Sequence, residues 1–237
     1  MIEKAVRKKK ASVRAGRPPR ELAGEVDERI LQAARSVFLE RGLAGASIDE
    51  IAGLARAGKP TIYARYPGKE AIFTAVVMRN VATNVAKLGG LVPTGSTLDE
   101  RLASLATTIL HWALAGDTIN LMRLGISEAR QLPDLAIKTH RMARQRGEEF
   151  VGKLLAEAAQ SDTRGRLSAF APEQLAMTTK FFMDLVVFPI IVRALFGENP
   201  DTLRAEITPY VARGIAFFLA GCALEKSSSD EDQQILS

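Results

Sequence analysis

One cysteine, two histidines and no long apolar run remove several functional classes from this 237-residue chain at the outset. A lone Cys222 allows no internal disulfide and no multi-thiolate metal site, which fits a reducing cytoplasm and a small core residue. His111 and His140 stand far apart and share no metal-ligand spacing with that cysteine. No glycine-rich phosphate loop is present, and Glu148-Glu149 falls on a charged helical stretch as solvated side chains. No enzyme activity, cofactor or metal is therefore expected. The most apolar segment, Phe181 to Phe196, is interrupted by Asp184, Pro189 and Arg193. It is shorter than the roughly 20 apolar residues of a membrane span, and reads as a buried helix. No apolar stretch follows the basic start, so a secretory signal is not expected and a cytoplasmic protein is. β-branched runs are short and prolines number ten, so nothing favours a sheet. The expected class is all-α.

What is abundant is positive charge, and it is uneven. Residues 1–20 hold eight basic side chains against Glu3, a local +7 within a total of +5. Such an arm, 1–22 with Gly-Arg-Pro-Pro-Arg at its end, is aperiodic and expected to be disordered. It is either a nucleic-acid attachment or a solubilising tail.

Helical periodicity starts at Val26 and continues through Ile30, Ala33, Ala34, Val37 and Phe38 to a C-terminal Gly42. Ser47-Ile-Asp-Glu50 is a capping-box pattern that opens a short helix with Ile48, Ile51, Ala52 and Ala55 inward. Lys59-Pro60-Thr61 opens a third helix, since proline suits a first turn, and Pro67-Gly68 closes it. Lys69-Glu70 begins a longer helix to about Lys87. Three helices, the last two short and joined by a tight turn, are the arrangement that places a helix in the major groove. Lys59, Thr61, Tyr63, Arg65, Tyr66 and Lys69 supply donors and flat rings with no acid before Glu70, as a phosphate-facing surface requires.

Ile51-Ala52, Ala55, Lys59-Pro-Thr-Ile-Tyr63 and Tyr66-Pro-Gly-Lys-Glu70-Ala-Ile-Phe73 resemble the DNA-binding domain of the TetR family of bacterial regulators, as does the Ile30 to Gly42 pattern. The resemblance covers residues 25–75 and implies nine or ten helices, a homodimer and an inverted-repeat operator. It implies base contacts from Lys59 and Pro60, with Arg65 in the most variable stretch as a specificity residue. Thr61, Tyr63, Lys69 and Ser47 match positions that grip phosphate. Tyr66 and Tyr63 either join them or pack on the first helix. Relatives often carry glycine where Arg56 stands; Arg56 adopts the left-handed turn at roughly 1 kcal/mol, or Gly58 takes the bend. Arg17 in the arm either reads a narrow minor groove or is part of a nonspecific tail.

The expected organisation is a basic arm (1–22), a helix-turn-helix domain (23–75), a helical effector-binding and dimerisation domain (76–225) and a disordered tail (226–237). Amphipathic helices are read over Leu98–Ala115, Asp117 (as a cap) to Arg130, Pro133–Gln160, Glu173–Leu195 and Arg204–Leu224, with Pro209 a kink or first turn. The last two match the family's dimerising pair. Phe181, Phe182, Leu185, Phe188, Tyr210, Phe217 and Phe218 form a dimer interface or a monomer core. An apolar effector pocket is expected between residues 70 and 165, its candidates His111, Trp112, Met122, His140 and Phe150, suiting a hydrophobic or aromatic compound. The function read is a ligand-responsive repressor in which the Lys69–Lys87 helix changes the spacing of two recognition helices. A nonspecific architectural DNA-binding protein is the alternative, and the ratio of operator to random-DNA affinity separates them. An interaction protein without DNA affinity is a third reading, supported if charge reversal at Lys59 and Lys69 leaves DNA retention unchanged.

Overall fold

The structure, a computed structural model, describes residues 20–88, 93–160 and 167–235, with side chains described for 24–87, 93–160 and 167–223. Arg17 and most of the basic arm lie outside the described residues. Ten α-helices and no strand occur among those described. They are α1 (Arg20–Gly45), α2 (Ile48–Ala55), α3 (Lys59–Tyr63), α4 (Lys69–Leu88), α5 (Leu98–Ala113), α6 (Thr118–Glu128), α7 (Pro133–Ala159), α8 (Leu175–Phe182), α9 (Phe188–Leu195) and α10 (Pro200–Ile235).

The apolar stripe of α1 packs on α2, α3 and α4, burying Ile30, Ala34, Val37, Phe38, Ile51, Ala55, Ile62, Ile72 and Phe73. Phe38 and Phe73 meet edge to face at 5.9 Å, the arrangement ring quadrupoles prefer. Gly42 is where α1 truly breaks: its φ of 70° and ψ of 175° are open to glycine at little cost, and a last turn follows to Gly45. Ser47 caps α2 by accepting from the Glu50 amide at 3.2 Å. The reciprocal half of the expected box is replaced, because the Glu50 carboxylate pairs with Arg41 at 2.8 Å.

A second core joins α5 and α7 to α10. α5 opens on a complete capping box of Thr97 and Glu100, and the Glu100 carboxyl is held below its ordinary pKa by hydrogen bonds from the Ser96 hydroxyl and the Ser96 and Thr97 amides. α8 and α9 are one continuous apolar rod, Leu175–Leu195, joined by the π-helical turn Met183–Val187. At 21 residues this rod is longer than the interrupted run suggested, and by length and composition it is able to cross a membrane. Its Phe182, Val186, Val187 and Ile190 are instead fully buried in the helical core, and it carries Lys180, Asp184 and Arg193.

Four features of the structure bear on these expectations. Asp117 makes no side-chain cap on α6; it pairs with Arg35 of α1. Pro209 lies inside α10, which begins at Pro200 with the Asn199 carboxamide accepting from the Asp201 amide at 2.8 Å. The backbone of α10 also stays helical to Ile235, through the tail expected to be disordered. The boundary at residue 75 is crossed by packing, since Leu121 of α6 is buried in the core built by α1–α4.

Candidate nucleic-acid interface

α2 ends at Arg56, whose φ of 49° and ψ of 44° are left-handed. The Arg56 amide donates to the Gly53 carbonyl at 3.2 Å, and the Ala57 amide to the Ala52 carbonyl at 3.0 Å. That is a Schellman closure, normally led by glycine, formed here by arginine. Gly58 takes extended angles and so does not absorb the bend. The turn delivers the chain into α3, where Pro60 sits in the first turn and Gly58 accepts from the Thr61 and Ile62 amides. Helix α3 closes at Tyr63, and a further turn through the Ile62 carbonyl holds Arg65 and Tyr66.

Ile62 is fully buried and seats α3 on the core. Lys59, Pro60, Tyr63 and Ala64 are exposed on its outer side, with Tyr63 53% accessible. A large ring left in water beside a lysine, on a helix with no acid, is suited to a polyanion. Lys59 pairs with Asp49 at the start of α2, so the cation has an internal partner to exchange for phosphate. Thr61 and Arg65 are half-buried, and Ser47 is exposed. The Arg65 guanidinium lies 3.7 Å from the Asp27 carboxylate and donates to the Thr61 carbonyl at 3.2 Å.

Tyr66 and Lys69 turn inward. The Tyr66 hydroxyl donates to Asp27 of α1 at 2.8 Å, and burial, followed by that hydrogen bond, raises its pKa above the ordinary phenol value. The Lys69 ammonium donates to the Ala44 and Ala46 carbonyls at 3.1 and 3.4 Å, a C-terminal cap for α1. Both residues hold the three helices together, whatever else they touch.

The five effector-pocket candidates do not converge. His111 and His140 are exposed, while Met122 and Phe150 pack half-buried against the second core. Trp112 alone of the five lines a cavity, of about 410 Å³, bounded by α1, α4 and the α5–α6 turn. This cavity is walled by charged and amide side chains as well as apolar ones, not by the apolar surface expected. The seven dimer candidates also divide. Phe182 and Phe218 are buried against each other in the chain's own core, with ring centroids 5.5 Å apart. Phe188 and Tyr210 are half-buried; Arg144 lies over the Phe188 ring, and the Tyr210 hydroxyl donates to the Leu185 carbonyl at 3.0 Å. Phe181, Leu185 and Phe217 remain exposed around a groove of about 470 Å³.

Sequence reasoning missed the ties between the two helical units. Arg35 pairs with Asp117, and the buried Glu128 carboxylate accepts from the Leu43 amide at 3.3 Å; within the first unit, Arg79 of α4 pairs with Glu28 of α1. None falls in a local pattern; the Thr97-x-x-Glu100 cap, by contrast, was readable by the same rule that found Ser47.

Residues 30–76 match the model of bacterial regulatory proteins of the tetR family, and residues 100–221 that of the AefR-like transcriptional repressor C-terminal domain. An HTH-type transcriptional repressor of Streptomyces coelicolor is 45% identical over 53 residues, which is 22% of this chain and 28% of that protein. The flavonoid-responsive regulator FrrA superposes with a TM-score of 0.60 at 27% identity, over 84% of this chain and 97% of its own. The fatty acid degradation regulator FadR of Bacillus halodurans has the same fold, with a TM-score of 0.56 at 18% identity over 80% and 94% of the two chains.

Proposed function

The chain belongs to the tetR family of bacterial regulatory proteins, and from that premise we propose that it is a repressor that binds an inverted-repeat operator as a homodimer and releases it on binding a small aromatic effector. The observation that carries the reading is α3: five residues seated by buried Ile62, with Lys59, Pro60 and Tyr63 facing outward. Lys59 and Pro60 meet base edges, Arg65 reads a neighbouring base once freed from Asp27, and Thr61, Tyr63 and Ser47 hold phosphate. The exposed Phe181, Leu185 and Phe217 favour dimerisation through α8, the π-helical turn after it and α10, since large apolar side chains in water are costly. The aromatic effector is supported by the Trp112-lined cavity and by the likeness to a flavonoid-responsive regulator.

DNA retained by the purified protein, sequenced and then titrated, tests this. One inverted repeat is expected to bind roughly 10³-fold or more tighter than random DNA. Lys59→Ala and Arg65→Ala should narrow that ratio, whereas Tyr63→Phe should weaken all sequences alike. Equal affinity for operator and random DNA would make the protein an architectural binder instead.

A further inference from the structure

The cavity between the two helical units is built from three directions. Leu31 and Arg35 come from α1, Val76, Asn80, Asn84 and Lys87 from α4, and Trp112 to Thr118 from the end of α5 and the start of α6. At about 410 Å³ it falls within the range of small-molecule sites. Its apolar lining is supplied by the Trp112 indole, Leu31 and Val76. The rest of the lining is electropositive for three separate reasons.

First, its two carboxylates are already neutralised, Glu28 by Arg79 and Asp117 by Arg35. Lys87 is left at the mouth with no ion-pair partner among the described residues. Second, the carboxamide nitrogens of Asn80 and Asn84 both point at one atom, the Thr118 hydroxyl, each at 3.3 Å. Each of these carboxamide nitrogens carries a second N–H that can donate to a further acceptor. Third, α6 starts inside this wall at Thr118, has no acid in its first turn and receives no side-chain cap from Asp117. The first amides of a helix lack intrahelical acceptors, and its dipole is positive at this end.

We propose that this junction cavity binds a small aromatic carboxylate, its ring against Trp112 and its carboxylate at Lys87, Asn84 and the first turn of α6. Leu31 and Val76 add apolar contact to the ring, and the amides and ammonium distinguish the acid from a neutral compound of the same shape. Bound there, a carboxylate competes with Asp117 for Arg35 and loosens the tie between α1 and α6. As an effector site the cavity rests on the regulator reading above; as a binding site it is tested without DNA.

Trp112 is the only tryptophan in the chain, so its fluorescence reports the cavity directly. The full-length protein is titrated with 1-naphthoate and 4-hydroxybenzoate, and with their neutral primary amides, by fluorescence and calorimetry. The acids are expected to bind saturably and at least tenfold tighter than the amides. Lys87→Met, an exposed position where folding is not at stake, should weaken the acids tenfold or more and leave the amides unchanged. Acids and amides that bind equally, acids insensitive to Lys87→Met, or no saturable binding would each overturn the proposal. A protein that selects an operator yet fails these titrations refutes the cavity assignment alone. One that passes them without preferring any DNA sequence refutes the regulator reading alone.

Discussion

Tyr66 shows how a residue that reads as a DNA contact is claimed by its own domain. It follows the recognition helix, where an aromatic donor suits phosphate, but its hydroxyl reaches back to Asp27 of α1. Burial and that carboxylate raise its pKa, so the neutral phenol is the form that the fold favours. The resulting stability is present in full below about pH 10, the ordinary phenol value, and is lost as pH rises towards the higher folded value. Tyr66→Phe should cost about 1 kcal/mol at neutral pH, read from urea midpoints, and flatten the fall in stability above pH 10. The same alkaline decline in both proteins would remove Tyr66 as its cause. Arg56 makes the complementary point: of the two residues that could take the bend, Arg56 and Gly58, the structure puts the left-handed conformation at Arg56.

At the scale of elements, α6 works as a strap. Its first residues lie against Asp117, which pairs with α1, and its last residue, Glu128, is buried and accepts from Leu43 just beyond the Gly42 break. A buried carboxylate whose acceptor role is deleted leaves the amide without a partner, at about 1–3 kcal/mol. Glu128→Ala should therefore destabilise the protein by that amount, measured by thermal or urea unfolding, and Glu128→Gln should recover most of it because an amide oxygen still accepts. If Gln is as damaging as Ala, the carboxylate acts through charge and not through this hydrogen bond. The helices themselves were legible: α2, α3, α4, α5 and α7 lie within a few residues of where caps, prolines and apolar spacing put them. The π-helical turn and the continuation through Pro209 were not, since both depend on how α8, α9 and α10 pack on one another.

At the scale of the molecule, the aromatic residues of α8 and α10 divide by burial. Phe182 and Phe218 hold the chain's own core, and truncating either to alanine should cost roughly 3–5 kcal/mol. Phe217, 74% accessible, has no such duty. Phe217→Glu is expected to leave the unfolding midpoint nearly unchanged while converting the protein to a monomer in sedimentation and weakening operator binding. A Phe217→Glu protein that still sediments as a dimer places the interface elsewhere. Helical spacing separates the neighbours Phe217 and Phe218: Leu203, Ile207, Val211, Ile215, Phe218, Leu219 and Cys222 form the buried stripe of α10, and Phe217 falls off it.

The all-α class and the helix-turn-helix were written locally, in the Ser47 cap, the Pro60 start and the Ile51, Ala55 and Ile62 spacing. Such features act over a few residues and survive any change in distant packing. The tertiary structure alone decided the rest. It drew Tyr66 and Lys69 inward, buried Leu121 of α6 in the first core, and left a cavity at the junction of the two units. The reason is that a site between helices depends on where their axes meet. The residues that meet there, Arg35 with Asp117 and Asn84 with Thr118, are 82 and 34 positions apart.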